Sequence, residues 1–491
     1  MILREIMSDP NTEDSLPIRF KHQNILFNGE LNNSKKEKLD VSVDLEYDKL
    51  DFSILKCKLI CKDHESNKFN EFLKNNDSLN VTGKINDNEL ILINIVSWTY
   101  IEGNVAEVEV DLFYKGYRGI IPFENGEYFV FIILDDAPAV HINKQGPLSY
   151  LGTISSRRKN DDAISWETEI GKISLADYFD YEQSEISNGK ATIQIKRTKI
   201  CIEKKFNYSI NIDKLIIDIE NELEDVINLL SFISRKPINW YELKLTIYSE
   251  GENRVVFNLE KRRKDDLRNK LNKEQMFHQS NLKEGPFYEL LKEYRKSLYK
   301  EQIKRTIHFI TTSNIDNFLE PSFQSAFSAL EIITAACSEK LKINNMFEDG
   351  QEVRQKTILK EIKKLIKIIY KRENWGMDGS FKEINEKTSE LKRRPFVNKL
   401  IDVIKLSKIR FGDIWYVQEE IYFNNKLKEI IKRRNEIIHS GEIINYPQLY
   451  RDKIRIQTIT ERLLLFLLNY NAIKDFNHFY CGELQSLHGL P

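Results

Sequence analysis

The sequence predicts an α+β multidomain protein, in which a β-rich N-terminal region, an antiparallel sandwich or barrel, precedes an all-α helical bundle. Three observations carry that reading. Before about residue 212, apolar and polar residues alternate in short runs, whereas after about residue 318 apolar residues recur at helical spacing. Glycine and proline are scarce, 19 and 11 among 491 residues, so no long flexible linker or low-complexity tract interrupts the chain. Charge is divided as well: residues 1–260 hold 31 Lys+Arg against 44 Asp+Glu, and residues 261–480 hold 43 against 30, behind a formal net charge of −1.

The first predicted domain, residues 1–212, contains strand patterns at 39–47 (LDVSVDLEY), 51–61 (DFSILKCKLIC), 89–101, 104–114, 127–134, 191–197 and 205–212. Turn signals such as Asn86-Asp87-Asn88 and Glu102-Gly103 punctuate them. A mixed connector, residues 213–317, opens on a helical run at 213–234, in which Leu215, Val226, Leu229 and Phe232 share a face. Two strands follow, at 240–248 and 254–259, and then charged helices. The third domain, residues 318–480, reads as helical apart from a loop near residues 375–380 and another before Pro447. Its opening helix puts Phe323, Phe327, Leu330 and Thr334 on one face with Glu331 at the flank; residues 481–491 form a tail.

Several function classes find no anchor. The N-terminus is acidic without a sustained apolar core, and the apolar runs at 128–134 and 463–468 are too short to span a bilayer, so a cytoplasmic protein without membrane association is expected. Five scattered cysteines do not suggest a disulfide framework, and Cys57-x3-Cys61-x2-His64 reads as two buried strand cysteines rather than a metal half-site. Phosphate-binding loops, serine-esterase elbows and zinc-protease motifs are missing.

The informative segment is Arg434-Asn435-Glu436-Ile437-Ile438-His439. Leu427, Ile430, Ile431 and Ile438 fall within one helical arc, and Ser440-Gly441 supplies a helix end. Arg434 lies in the middle of that arc, where a guanidinium that cannot shed its proton needs a carboxylate, an interface or an anionic ligand. His439 sits on the last turn, where the helix dipole favours its protonated form, and Asn435 precedes it by four residues. Arginine to grip a phosphate, histidine to exchange a proton near neutral pH and an amide to orient either suit metal-independent transfer of an RNA phosphoryl group to its own 2′-hydroxyl. Lys432 and Arg433 are candidate substrate contacts, and Glu331 is a candidate partner for Arg434 or His439. From the residues alone, a solvated basic turn and a capping histidine are the ordinary explanation of the spacing. Basic runs at 261–264, 363–364 and 392–394 are further candidates for RNA-backbone contact, or simply solvated helix faces.

Residues 428–441, KEIIKRRNEIIHSG, resemble the Arg-x4-6-His signature of HEPN domains, with a polar residue directly after the arginine. Residues 323–337 are similar to the opening helix of that fold and residues 447–470 to its closing helix. The arrangement as a whole resembles ApeA-type proteins of bacterial anti-phage defence. That resemblance implies a homodimeric, metal-independent endoribonuclease without cofactor, with Arg434, His439 and Asn435 as catalytic residues in a composite site. It further implies an RNA substrate, tRNA being the expected class, and a phage-derived trigger. The rival expectation is a non-catalytic RNA-binding or adaptor protein that uses the helical domain for dimerisation. A form silenced by modification of a tyrosine two residues after the histidine is disfavoured, because Gly441 stands there.

Overall fold

The computed structural model describes residues 22–48, 55–62, 66–74, 79–86, 89–116, 119–121, 124–134, 164–186, 189–249, 255–263, 286–314, 318–343, 352–375, 379–388, 394–411, 414, 419–440 and 445–470. The protein is α+β, with a β-rich N-terminal part and a helical C-terminal part. Two compact units divide the chain, one holding Met1–Ile227 and Ile238–Leu271 as its main segments, the other Asn228–Pro237 and Pro286–Pro491.

Of the two β architectures the alternation allows, the chain forms a closed antiparallel barrel that continues into a sheet. Strands β1 (His22–Asn33), β2 (Lys38–Asp48), β3 (Leu55–Cys61), β4 (Leu79–Asn86), β5 (Glu89–Glu102) and β6 (Val105–Gly116) pair in the order β3-β2-β1-β4-β5-β6, and β6 returns to β3. Closure runs through Lys56↔Glu109 to Ile60↔Val105, so the first half of β6 seals the barrel. Its second half, Leu112 to Gly116, pairs instead with β12 (Val255–Arg263) and carries the sheet onward. Every second residue of β3 is buried, Leu55, Cys57, Leu59 and Cys61, as the two-residue period of a strand with one wet face requires. They join Leu31, Val41, Leu45, Val81, Ile93 and Phe113 in one core, onto which helix α1 (Ser66–Lys74) adds Phe69 and Leu73. Burying such side chains stabilises by about 1.5–3 kcal/mol each.

The sheet proceeds as β6-β12-β11-β7-β10-β9-β8, with β7 at Gly126–Leu134, β8 at Ile164–Thr168, β9 at Gly171–Ile186, β10 at Gly189–Phe206 and β11 at Trp240–Ser249. Two strands of the expected connector thus lie between β6 and β7. The strand pattern at 205–212 ends early: β10 stops at Phe206, and α2 (Ile212–Ser234) begins where Asn211 accepts a bond from the Lys214 amide at 3.0 Å. The basic run at 261–264 is on β12 rather than a helix, and its described members are tied up internally. Lys261 meets Glu220 at 2.5 Å, and Arg262 pairs with Glu242 and Glu260 while lying 4.6 Å from the Tyr47 ring centroid. Arg263's side chain and Lys264 lie outside the described residues.

In the helical unit, α3 (Pro286–Lys296), α4 (Lys300–Thr312), α5 (Leu319–Lys340), α6 (Glu352–Arg372), α7 (Gly379–Lys387), α8 (Phe396–Leu406), α9 (Glu420–Ser440) and α10 (Tyr446–Leu467) follow in order. Helix α5 is central, packed by α4, α8 and α10, and α9 packs on α8. The expected face of α5 is buried, Phe323, Phe327, Leu330 and Thr334 together with Ala326, Ile333 and Cys337. Among the described residues, no helix is long and apolar enough to cross a membrane.

Candidate functional site

Helix α9 buries Phe423, Leu427, Ile430 and Ile437, a stripe at 3- and 4-residue spacing. The stripe is rotated slightly from the expected arc, because Ile438 is 46% exposed and Ile431 only half-buried. Arg434 lies in it, seven residues after Leu427, and is half-buried. Its guanidinium carbon is 5.2 Å from the Phe327 ring centroid, its Nη2 is 3.5 Å from Glu331 Oε1, and its Nη1 donates to Asn435 Oδ1 at 3.3 Å. Phe327 and Glu331 are one turn apart on α5, so two neighbouring positions of the central helix supply both an aromatic face and a carboxylate. Phe327 is itself fixed by Phe323 and by Phe396 of α8, with centroids 6.3 and 5.7 Å away.

The hold on Arg434 is modest. Its side chain retains 31% of its exposure and that of Glu331 43%, so the ion pair contributes at most about 1 kcal/mol and the ring contact about 0.5–1 kcal/mol. Both leave the guanidinium able to exchange partners.

The neighbouring Arg433 is held differently. Its Nε donates to Asp452 Oδ2 at 2.6 Å, and the Asp452 side chain is fully buried on α10. Gln448 Nε2 donates to the other oxygen at 2.8 Å, and Arg455 Nη1 stands 3.5 Å from it. Burial pushes the Asp452 carboxyl above the usual aspartate range, opposed by Arg433, Gln448 and Arg455. This clamp fastens α9 to α10, whose start is set by Asn445 accepting from the Gln448 amide at 3.0 Å, with Pro447 inside the first turn.

Lys432, the other expected substrate contact, is 80% exposed, 3.7 Å from Glu436. Asn435 is exposed too, and with Lys428, Lys432 and Ile438 it forms the outer strip of α9. The backbone of His439 is helical, four residues after Asn435, while its side chain lies outside the described residues, as do residues 441–444. Arg434, Asn435 and Glu331 are therefore brought together, whereas Arg433 is diverted to Asp452. Asp452 escaped the sequence reading although its signal was present: an aspartate between Leu449 and Ile456 on an otherwise apolar face.

Among the described residues no group of three or more His, Cys, Asp or Glu could hold a metal ion. Cys57 and Cys61 are buried in the barrel core, and burial beside Asp44 pushes the Cys57 thiol up to about 12. His64 lies outside the described residues.

No family model, no curated protein and no solved structure matches this chain.

Proposed function

We propose that the protein is a metal-independent endoribonuclease of the HEPN type, acting as a cytoplasmic homodimer in anti-phage defence. The observation that carries the reading is the state of Arg434: a loosely held guanidinium on the packed face of α9, seated on Phe327 and 3.5 Å from Glu331, one residue from an exposed amide and five from a helix-terminal histidine. Arginine in such a position can release a carboxylate and take a phosphate through two charge-assisted bonds, which are stronger and better directed than its partly exposed ion pair. In this mechanism a 2′-hydroxyl attacks the adjacent phosphorus and expels the 5′-oxygen, leaving a 2′,3′-cyclic phosphate and a 5′-hydroxyl. His439 moves the proton of the nucleophile or of the leaving oxygen, Arg434 stabilises the charge gathering on the phosphate, and Asn435 orients one of them. Lys432 offers the RNA backbone a positive charge, and Ile438, 46% exposed beside these residues, offers a second copy an apolar contact. Arg433 acts through its clamp on Asp452, setting the rotation of α9. A tRNA target and a phage-derived trigger complete the proposal on the strength of the motif's resemblance.

Purified wild type and His439→Ala, incubated with total RNA in EDTA and followed by end-group analysis, test it. Cyclic-phosphate ends from wild type alone are expected, with unchanged melting of the variant. Cleavage that EDTA abolishes, or full activity of His439→Ala, would overturn it. A second reading has its own support: the contacts of Arg434 with Phe327, Glu331 and Asn435 suffice for a structural arginine, as in a non-catalytic RNA-binding or adaptor protein. That role entails salt-sensitive RNA binding with no product, and a stability loss in Arg434→Ala.

A further inference from the structure

Among the described residues, helix α6 has more apolar surface than its own unit covers. Leu359 and Tyr370 are buried and Ile362 and Ile366 half-buried, which anchors one side of the helix. The adjoining side carries Ile358, Leu365, Ile368 and Ile369, exposed by 39%, 57%, 57% and 41%. Ile358, Leu365 and Ile369 recur at the spacing that aligns residues along a helix and form a ridge, with Glu361, paired to Lys364 at 2.7 Å, between the first two. Beyond the ridge lie Lys360, Lys364, Lys367 and Lys371, all exposed, and the helix carries eight basic residues against two acidic ones. Past its end, Trp375 is 57% exposed with its ring set edge-on to Tyr370 at 5.3 Å.

We propose that α6 docks the helical unit onto a bilayer surface that carries anionic headgroups. The ridge and the lysine row ask for two things at once, an apolar layer and negative charge beside it, and the boundary of an anionic bilayer provides both along the length of a helix lying in its plane. The lysines reach up to headgroups while their stems cover the ridge's edge, and an indole at the helix end suits the same boundary. Competing occupants fit less well. A polyphosphate would satisfy the lysines but has no counterpart for an aliphatic ridge, since bases stack on planar rings. A second copy would bring lysine row against lysine row. An acidic protein groove would have to wrap the helix, and the side bearing Leu359 and Tyr370 is already buried. The expectation of no membrane association rested on the lack of a spanning segment, which an in-plane helix does not need.

The test uses the whole purified protein in vesicle flotation, comparing phosphatidylcholine alone with phosphatidylcholine containing about one third phosphatidylglycerol. Partitioning at least about tenfold stronger onto the anionic vesicles, weakening as salt rises, is expected. Leu365→Glu/Ile369→Glu and, separately, Lys364→Glu/Lys367→Glu should each lower it about tenfold or more, with melting temperature and light-scattering mass unchanged. No partitioning, or equal partitioning by wild type and both variants, would overturn the proposal. So would Leu365→Glu/Ile369→Glu that halves the light-scattering mass, which assigns the ridge to a second copy. A lysine variant that loses RNA binding while the ridge variant floats like wild type would equally overturn it, in favour of a polyanion. None of these readouts depends on nuclease activity.

Discussion

Replacing Arg235 by glycine should destabilise the helical unit even though it relieves the backbone. Arg235 follows the last residue of α2 with φ of 53°, and its amide and that of Lys236 bond back to Phe232 and Ser231 carbonyls at 3.1 and 3.2 Å, a helix ending that glycine ordinarily provides. A left-handed arginine costs about 1–2 kcal/mol relative to glycine. Its side chain offsets that cost: Nε and Nη2 each reach a Glu461 oxygen of α10 at 3.0 Å, with the two side chains 5% and 1% exposed. Removing one partner of a buried pair costs about 3–5 kcal/mol because the other charge stays behind, here relieved only in part by Gln457 at 3.2 Å. The difference is a loss of about 1–4 kcal/mol, which lowers the melting temperature of the unit by roughly 2–16 °C. The bond from Asn314 to the Arg235 carbonyl, 2.8 Å, involves backbone and survives the change, so the loss belongs to the guanidinium. Thermal melts of Arg235→Gly, Glu461→Gln and the double variant should give a coupling of at least about 2 kcal/mol. Arg235→Gly melting at or above wild type, or two additive single losses, would refute the reasoning.

Other perturbations follow from the same structure. Gly83→Ala puts a Cβ 2.4 Å from the buried Phe27 ring, so a loss of about 1–3 kcal/mol in the barrel is expected, with partial recovery on adding Phe27→Leu in denaturant titrations; no loss would show that the ring can move aside. The Asp452 carboxyl is raised by burial from an ordinary 3.8, so its contribution to stability is complete below that value and fades as pH rises through the folded one. The melting-temperature advantage of wild type over Asp452→Asn should therefore shrink between acid and neutral pH, whereas a growing advantage would mean that Arg433 outweighs burial. The Cys57 thiol, pushed up to about 12, should react with a thiol reagent at mildly alkaline pH only as fast as the barrel opens, and burst labelling in the native protein would contradict its burial. At the candidate site, Arg434→Lys keeps the charge but loses the two-pronged grip, so cleavage in EDTA should fall nearly as far as in His439→Ala; near-normal activity would remove phosphate binding from the role of Arg434.

Much of the fold is local in origin and can be read from the chain. The alternation at 55–61 reappears as the buried face Leu55, Cys57, Leu59, Cys61, and the 3.6-residue period after 318 as the packed face of α5. Both patterns are covalent neighbours responding to one geometry, and burial follows from period alone. The site was partly legible for the same reason: an arginine seven residues after Leu427 must face what Leu427 faces, and Glu331 sits at the flank of the helix opposite.

What the tertiary structure decided is which distant groups meet. Alternation allowed a sandwich or a barrel, and the choice lies in backbone pairing of β3 with β6, more than forty residues apart, where no side-chain pattern specifies the partner. Placing β11 and β12 between β6 and β7 is likewise a matter of hydrogen bonds between remote strands. The two adjacent arginines of α9 differ because a helix turns by about 100° per residue: Arg434 lands on Phe327 and Glu331 of α5, and Arg433 on Asp452 of α10. The sequence by itself determined that a cation would lie on the packed face of α9; only the packing of α5 and α10 around it decided that Arg434 would be lightly held and Arg433 firmly clamped, since solvent exposure and the burial of the opposing carboxylate set the strength of each hold.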